Sequence, residues 1–200
     1  MKVDSEPEST VLRLWLLLPR VGDALALCQD LVFGKYGITT EQFRVLACIK
    51  SRGPLRPIDL ASILERGPNS MSMLVDRMVK AGLVRRTRDR KDRRTVFVSM
   101  TDKGKEAIDP AVPAGWEFMH KLLSPLSYDD QHALASMLET IKCELAGYLN
   151  PEMDMAEIIR KSFTRDPDLY KRMVKSVLPP GYEAKRRVGK KKAIRRRQPK

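Results

Sequence analysis

Residues 68–104 read PNSMSMLVDRMVKAGLVRRTRDRKDRRTVFVSMTDKG, and a change of period inside this stretch decides the fold. Up to Ala81 the apolar residues Met71, Leu74, Val75 and Met78 fall in steps of three, one and three, the stripe of a helix with one face turned inward. Gly82 stands where a helix hands over to a left-handed residue. Beyond it the helical period is lost, and residues 83–87 and 95–99, which carry Val, Thr and Phe, flank a polar, charged tip. That pattern predicts two strands and a β-hairpin. Thr101-Asp102-Lys103-Gly104 then caps a new helix.

Working outward, Gly67-Pro68-Asn69-Ser70 breaks the chain. Before it, Pro57 opens a short helix carrying Leu60, Ile63 and Leu64. Thr40 and Glu41 open an earlier helix that closes near Ser51-Arg52-Gly53-Pro54. Residues 10–33 place Leu14, Leu18, Val21, Leu25, Cys28 and Val32 in alternating steps of four and three, the seam of a helix packed along a partner, with a bend expected at Pro19. Downstream, the helix after Thr101 is expected to be interrupted at Pro110 and Pro113 and to resume through Trp116 to Leu123. Residues 127–149 repeat the seam with Leu134, Leu138, Ile141, Leu145 and Tyr148. The fold class is mainly α with a small β-hairpin wing: a winged helix-turn-helix, with a helical dimerisation region from the N- and C-terminal helices. The expected divisions are a dimerisation helix over 1–35, the winged unit over 36–101 and dimerisation helices over 102–150. An extension of no assigned role covers 151–184, and a basic, disordered tail covers 185–200.

Charge is unevenly spread. The net charge is +13, but residues 185–200 hold ten Lys or Arg and no acid, so the rest of the chain carries only +3. Cys28, Cys48 and Cys143 are odd in number and far apart, which argues against a disulfide framework and a thiolate metal site. Cys28, on the seam, reads as buried and inert, and Cys48 as core. The apolar run at Leu14–Leu18 ends at Pro19 and Arg20 and follows acids at positions 4, 6 and 8. It resembles neither a signal peptide nor a membrane span. A cytoplasmic, nucleoid-associated protein with no membrane contact is expected. The two histidines, His120 and His132, have no metal-ligand spacing, and no phosphate loop or nucleophile turn is present. Neither an enzyme nor a cofactor or metal is expected.

Two short helices joined by a tight turn and followed by a basic hairpin form a device for reading DNA. Opposite the inward stripe of the second helix lie Asn69, Ser70, Ser72, Met73, Asp76, Arg77 and Lys80. Hydroxyls and a flexible methionine suit base edges, whereas Arg77 and Lys80 suit phosphates. A charged helix face also serves simple solvation. The hairpin moves the balance: residues 85–94 hold seven bases against Asp89 and Asp92, clustered where arginine can enter a minor groove. A charged turn that merely blocks strand aggregation is the alternative.

From Ser72 to Gly104 the chain resembles the MarR family of bacterial regulators. The matching pieces are Leu74-Val75-Asp76-Arg77-Met78, Gly82-Leu83-Val84, Asp92-Arg93-Arg94 and Met100-Thr101-Asp102-Lys103-Gly104, in order and at family spacing; the helical layout extends the likeness to about residues 10–149. The resemblance implies a winged helix dimerised by its terminal helices, with base-reading positions at Ser70, Ser72, Met73 and Arg77. It implies that Asp92 and Arg94 pair to brace the wing, with Arg90, Lys91 and Arg93 towards the DNA; Arg88 joins them as a DNA-binding candidate of the basic hairpin. Met73 departs from the polar or basic residue often found at its position, so no base preference is carried over.

The expected partner is double-stranded DNA, read as an inverted repeat by a homodimer acting as a repressor by occlusion. Relatives of this type release DNA when a small aromatic or anionic ligand wedges into them. Trp15, Tyr36, Phe43, Trp116 and Phe118 are the candidate lining, although aromatics at helical spacing more often belong to the core. The tail could add salt-sensitive phosphate contacts, or instead solubilise the terminus or dock an acidic partner. The competing function is a sequence-tolerant architectural DNA- or RNA-binding protein using wing and tail alone.

Overall fold

The computed structural model describes residues 6–89 and 92–149. Along the chain run α1 (Glu6–Gly34), α2 (Thr40–Arg52), α3 (Pro57–Ile63), α4 (Pro68–Lys80), β1 (Val84–Arg88), β2 (Val96–Met100), α5 (Asp102–Leu123) and α6 (Tyr128–Leu149). Among the described residues, those of 6–49 and 53–118 form one unit, and those of 50–52 and 119–149 form another.

The first unit holds the helix-turn-helix and its wing. Its core is built from Val45, Leu46 and Ile49 of α2, Leu60 of α3, Met71, Leu74, Val75 and Met78 of α4, Val84 and Val98 of the strands, and Ile108, Ala111 and Val112 of α5, all buried. Helix α2 starts on a capping box: the Thr39 hydroxyl accepts the Gln42 amide at 3.3 Å while the Gln42 side chain accepts the Thr39 amide at 3.0 Å. Helix α4 begins at Pro68, so Asn69 and Ser70 sit in its first turn rather than in a break before it. A proline at the first helical position loses no bond, because that N–H has no intrahelical acceptor.

Helix α4 ends on a Schellman motif. The Leu83 amide donates to the Met78 carbonyl at 3.0 Å and the Gly82 amide to Val79 at 2.9 Å, with Gly82 at φ +72°, a conformation that penalises any Cβ. This motif uses Leu83, and the strands lie one residue later than the expected 83–87 and 95–99. They pair antiparallel with Val84 opposite Met100 and Thr87 opposite Phe97. Leu55 adds a third edge by exchanging both backbone bonds with Val98, at 3.1 and 2.7 Å.

Helix α5 is continuous through Pro110 and Pro113, correcting the interruption expected there. Each proline removes a donor and crowds the preceding turn, but its own φ is helical. The face made by Ile108, Ala111, Val112 and Gly115 is buried, and packing along it holds the backbone in register across both residues. An ideal Cβ on Gly115 would stand 2.9 Å from the Phe33 ring, so glycine here lets the end of α1 lie close to α5.

Helix α1 is exposed along most of its length, including Leu14, Leu18 and Val21 of the expected seam. Cys28 is exposed too, which corrects the expectation that it is buried; within one chain the stripe has no covering surface at that point. Cys48 is buried in α2, as expected. In the second unit, Ser127 caps α6: its hydroxyl accepts the Asp130 amide at 3.1 Å, and the Asp130 carboxylate accepts the Ser127 amide at 3.2 Å. The α6 seam residues Leu134, Leu138, Ile141, Leu145 and Tyr148 are exposed, Tyr148 at 85%. Among the described residues no helix is long and apolar enough to cross a membrane.

Candidate nucleic-acid interface

Helix α4 divides cleanly. Met71, Leu74, Val75 and Met78 are buried at 4% exposure or less, which fixes the helix in the unit and leaves its other side free. On that other side Asn69, Ser70, Met73, Arg77 and Lys80 are exposed and Ser72 is half-buried. The six residues expected to read DNA thus lie on one surface. Arg77 and Lys80 make no ion pair among the described residues, so both charges are available to phosphates.

Asp76 lies on the same surface and would repel phosphate if left alone. The Arg86 guanidinium meets it at 2.6 Å. This pair also bridges β1 and the outward side of α4. Sequence reasoning missed it, since each partner sits in a separate element and nothing in their spacing announces contact.

The wing turn is organised by its two acids. The Asp89 carboxylate accepts the Asp92 amide at 2.9 Å. The Asp92 carboxylate accepts the Arg94 amide at 3.0 Å and the Thr95 hydroxyl at 2.9 Å, and the Thr95 amide donates to the Asp92 carbonyl at 2.9 Å. Asp92 and Arg94 are therefore joined, but through the Arg94 backbone rather than its guanidinium. That corrects the side-chain pairing the resemblance implied: a carboxylate filled by an amide and a hydroxyl closes the turn and leaves the Arg94 cation outward. Arg88 and Arg93 are also exposed. Arg90 and Lys91 lie outside the described residues.

The wing is fastened at its base by Thr101, whose hydroxyl donates at 2.6 Å to the Gly82 carbonyl and accepts the Gly104 amide at 3.0 Å. Lys103 donates from Nζ to the Ala81 carbonyl at 2.9 Å, placing a cation at the C-terminal end of α4 where the helix dipole favours it. Gly104 lies so near the Leu83 carbonyl that a Cβ would overlap it. The motif read as a helix start thus also fastens α4 to the wing.

A second set of contacts links α1 to the helix-turn-helix. The Thr40 amide donates to the Asp30 carboxylate at 2.8 Å, and the adjacent Thr40 holds that carboxyl below its ordinary value. Next to Thr40, Glu41 pairs with Arg66 at 2.5 Å and Arg44 at 3.6 Å. Arg66 immediately precedes the Gly67 cap of α4. At α3, Asp59 receives two bonds from the Arg56 guanidinium at 2.8 and 2.7 Å, which hold its carboxyl below the usual range.

The aromatic residues expected to line a ligand pocket are differently placed. Phe43 stacks on Phe33 with centroids 3.9 Å apart, a contact within the core. Trp15 is 75% exposed, and Tyr36, Trp116 and Phe118 are half-buried. A cavity of about 480 Å³ lies instead on the outer face of the wing, lined among others by Arg85, Thr87, Arg88, Phe97 and Ser99. Among the described residues no cluster of side chains is arranged to hold a metal ion.

Residues 38–96 match the profile of the MarR family. Two relatives come from Bacillus subtilis (strain 168). The HTH-type transcriptional repressor MdtR is 31% identical over 48% of this chain and 62% of its own length. The HTH-type transcriptional regulator YkoM, described as uncharacterized, is 30% identical over 52% of this chain and 68% of its own. The chain belongs to the MarR family. Its fold agrees: a mutant of MarR from E. coli, crystallised with operator DNA, superposes with a TM-score of 0.61 at 23% identity, covering 68% of this chain and 99% of that one. Within this MarR-family chain, α3, α4 and the wing form a winged helix-turn-helix, and the family profile covers the helix-turn-helix and most of the wing.

Proposed function

We propose that this MarR-family chain is a dimeric transcription regulator that reads an inverted repeat in double-stranded DNA and represses by occupying it. The observation that carries this reading is the outward surface of α4, where Asn69, Ser70, Ser72, Met73, Arg77 and Lys80 stand opposite a fully buried stripe. A helix held from behind can enter the major groove and leave its outward side chains on base edges. Arg88, Arg90, Lys91 and Arg93 of the wing supply contacts to the flanking phosphates and minor groove.

Dimerisation is supported by the bare seams. One chain leaves Leu14, Leu18 and Val21 of α1 exposed, and separately Leu138, Leu145 and Tyr148 of α6, and each stripe is a run of large apolar side chains without cover. A second copy offers the same residues in a self-complementary arrangement and sets two reading helices about 34–36 Å apart, one turn of the duplex. Chromosomal operators as targets place the protein in the cytoplasm, on the nucleoid. A small aromatic or anionic ligand that releases the DNA fits the same reading, with half-covered Tyr36, Trp116 and Phe118 as its contacts. Relatives named as regulators support a role in binding rather than catalysis.

The test is to incubate purified full-length protein with sheared genomic DNA at physiological salt and sequence what is retained. A short inverted repeat upstream of genes is the expected result. Uniform retention would replace this reading with that of an architectural protein gripping phosphates through wing and tail.

A further inference from the structure

At about 100° per residue, Asn69, Met73, Asp76 and Lys80 form the row of α4 that points away from the buried stripe. Asn69 belongs to the first turn and Lys80 to the last, and Asp76 is held by Arg86 at 2.6 Å. Met73 occupies the middle of the row and is 65% exposed, whereas Met71 and Met78 on the same helix are fully buried. A single exposed apolar side chain is ordinary on a protein surface. One at the centre of a surface otherwise made of amide, hydroxyl and cationic groups and the ion-paired Asp76 carboxylate is positioned to meet whatever that surface meets.

The chemistry available to Met73 is narrow. A thioether donates no hydrogen bond and accepts only weakly, so it cannot read the guanine, cytosine or adenine edges that need polar partners. In the major groove the one apolar feature of the base-pair edges is the C5 methyl group of thymine. Methionine suits it, being unbranched and polarisable, and able to settle on a methyl without fixed geometry. We infer that Met73 is a specificity-determining residue that selects thymine through its methyl group, one contact in each half-site. Ser70, Ser72 and Arg77 flank it as hydrogen-bonding readers. This inference rests on the proposed reading of α4 and deepens it by naming the base chemistry.

The experiment uses the full chain and a random duplex library. The enriched half-site is resynthesised with each thymine replaced singly by deoxyuridine, which removes only the methyl, and affinity is read by fluorescence anisotropy. Wild type is expected to lose about fourfold at one thymine per half-site, the value of one buried methylene-sized group. In Met73→Ala the same replacements become neutral, and Met73→Arg moves the preference at that base pair towards guanine. Indifference of wild type to every deoxyuridine overturns the inference, as does a penalty that persists undiminished in Met73→Ala. Both results leave the specific regulator standing. Enrichment of no sequence at all removes the regulator reading, and Met73 with it.

Discussion

Thr101, Lys103 and Gly104 each reach back across the hairpin to the end of α4, so three neighbouring residues carry the junction between helix and wing. Gly104→Ala forces a methyl against the Leu83 carbonyl and is expected to cost about 1–3 kcal/mol, as overpacking does. Thr101→Ala loses a cap and a tether together and is expected to cost about 1–2 kcal/mol. Urea denaturation followed by circular dichroism measures both. Glu65 poses the opposite case: it turns between α3 and α4 at φ +54°, left-handed for a residue with a Cβ. Glu65→Gly relieves that strain and should hold or raise the urea midpoint, whereas Glu65→Val should lower stability by about 1–2 kcal/mol. Thr101 was legible as a helix start because capping is local. Its hold on Gly82, the Gly104 contact and the Glu65 conformation were not, since each depends on where a distant or neighbouring element brings the backbone.

For the wing, the decisive point is what its acids do. Counting charges, Asp89 and Asp92 oppose DNA; in the structure they accept the amides and the hydroxyl that close the turn. Asp92→Ala therefore separates two accounts. Plain electrostatics makes this variant bind DNA more tightly, whereas loss of the turn makes it bind several-fold more weakly despite the added positive charge. The weaker binding is the expected outcome. Arg93→Ala should lower affinity about equally for specific and non-specific duplexes and reduce the salt slope by about one. Binding titrations from low to moderate salt decide both. Among the elements, helix and hairpin were legible from periodicity, and Met71, Leu74, Val75 and Met78 were correctly read as the inward stripe. The α5 prolines misled because local chemistry argues for a break, while buried contacts on Ile108, Ala111 and Val112 favour continuity.

For the molecule as a whole, assembly and acid sensitivity matter most. Val21→Glu places a charge on the bare seam of α1 and is expected to shift the protein to monomer in sedimentation equilibrium, with loss of most operator affinity. Asp30, bonded to Thr40, holds α1 against α2, and its carboxyl is lowered below the ordinary 3.8. A depressed carboxyl contributes stability that is full above the unfolded value and is lost as pH falls through the folded one. Thermal melts between roughly pH 2 and 6 should therefore show a shallower acid decline in Asp30→Asn than in wild type, with Asp59 and Asp102, lowered by Arg56 and Lys105, supplying the remaining slope. Both seams were legible in the sequence as stripes at helical spacing. They were expected to pack along a partner, and one chain leaves Leu14, Leu18, Val21, Leu138 and Leu145 exposed.

The bond between Asp76 and Arg86 has a bearing on how regulators of this build diversify. An exchange of α4 alone, carrying a foreign set of base contacts, would strand the Arg86 cation beside whatever replaced Asp76 and change the charge presented between helix and wing. New operator preference would be inherited most cleanly when helix and first strand travel as one cassette. Transplanting residues 68–88 together should preserve the docking pose that a shorter graft loses.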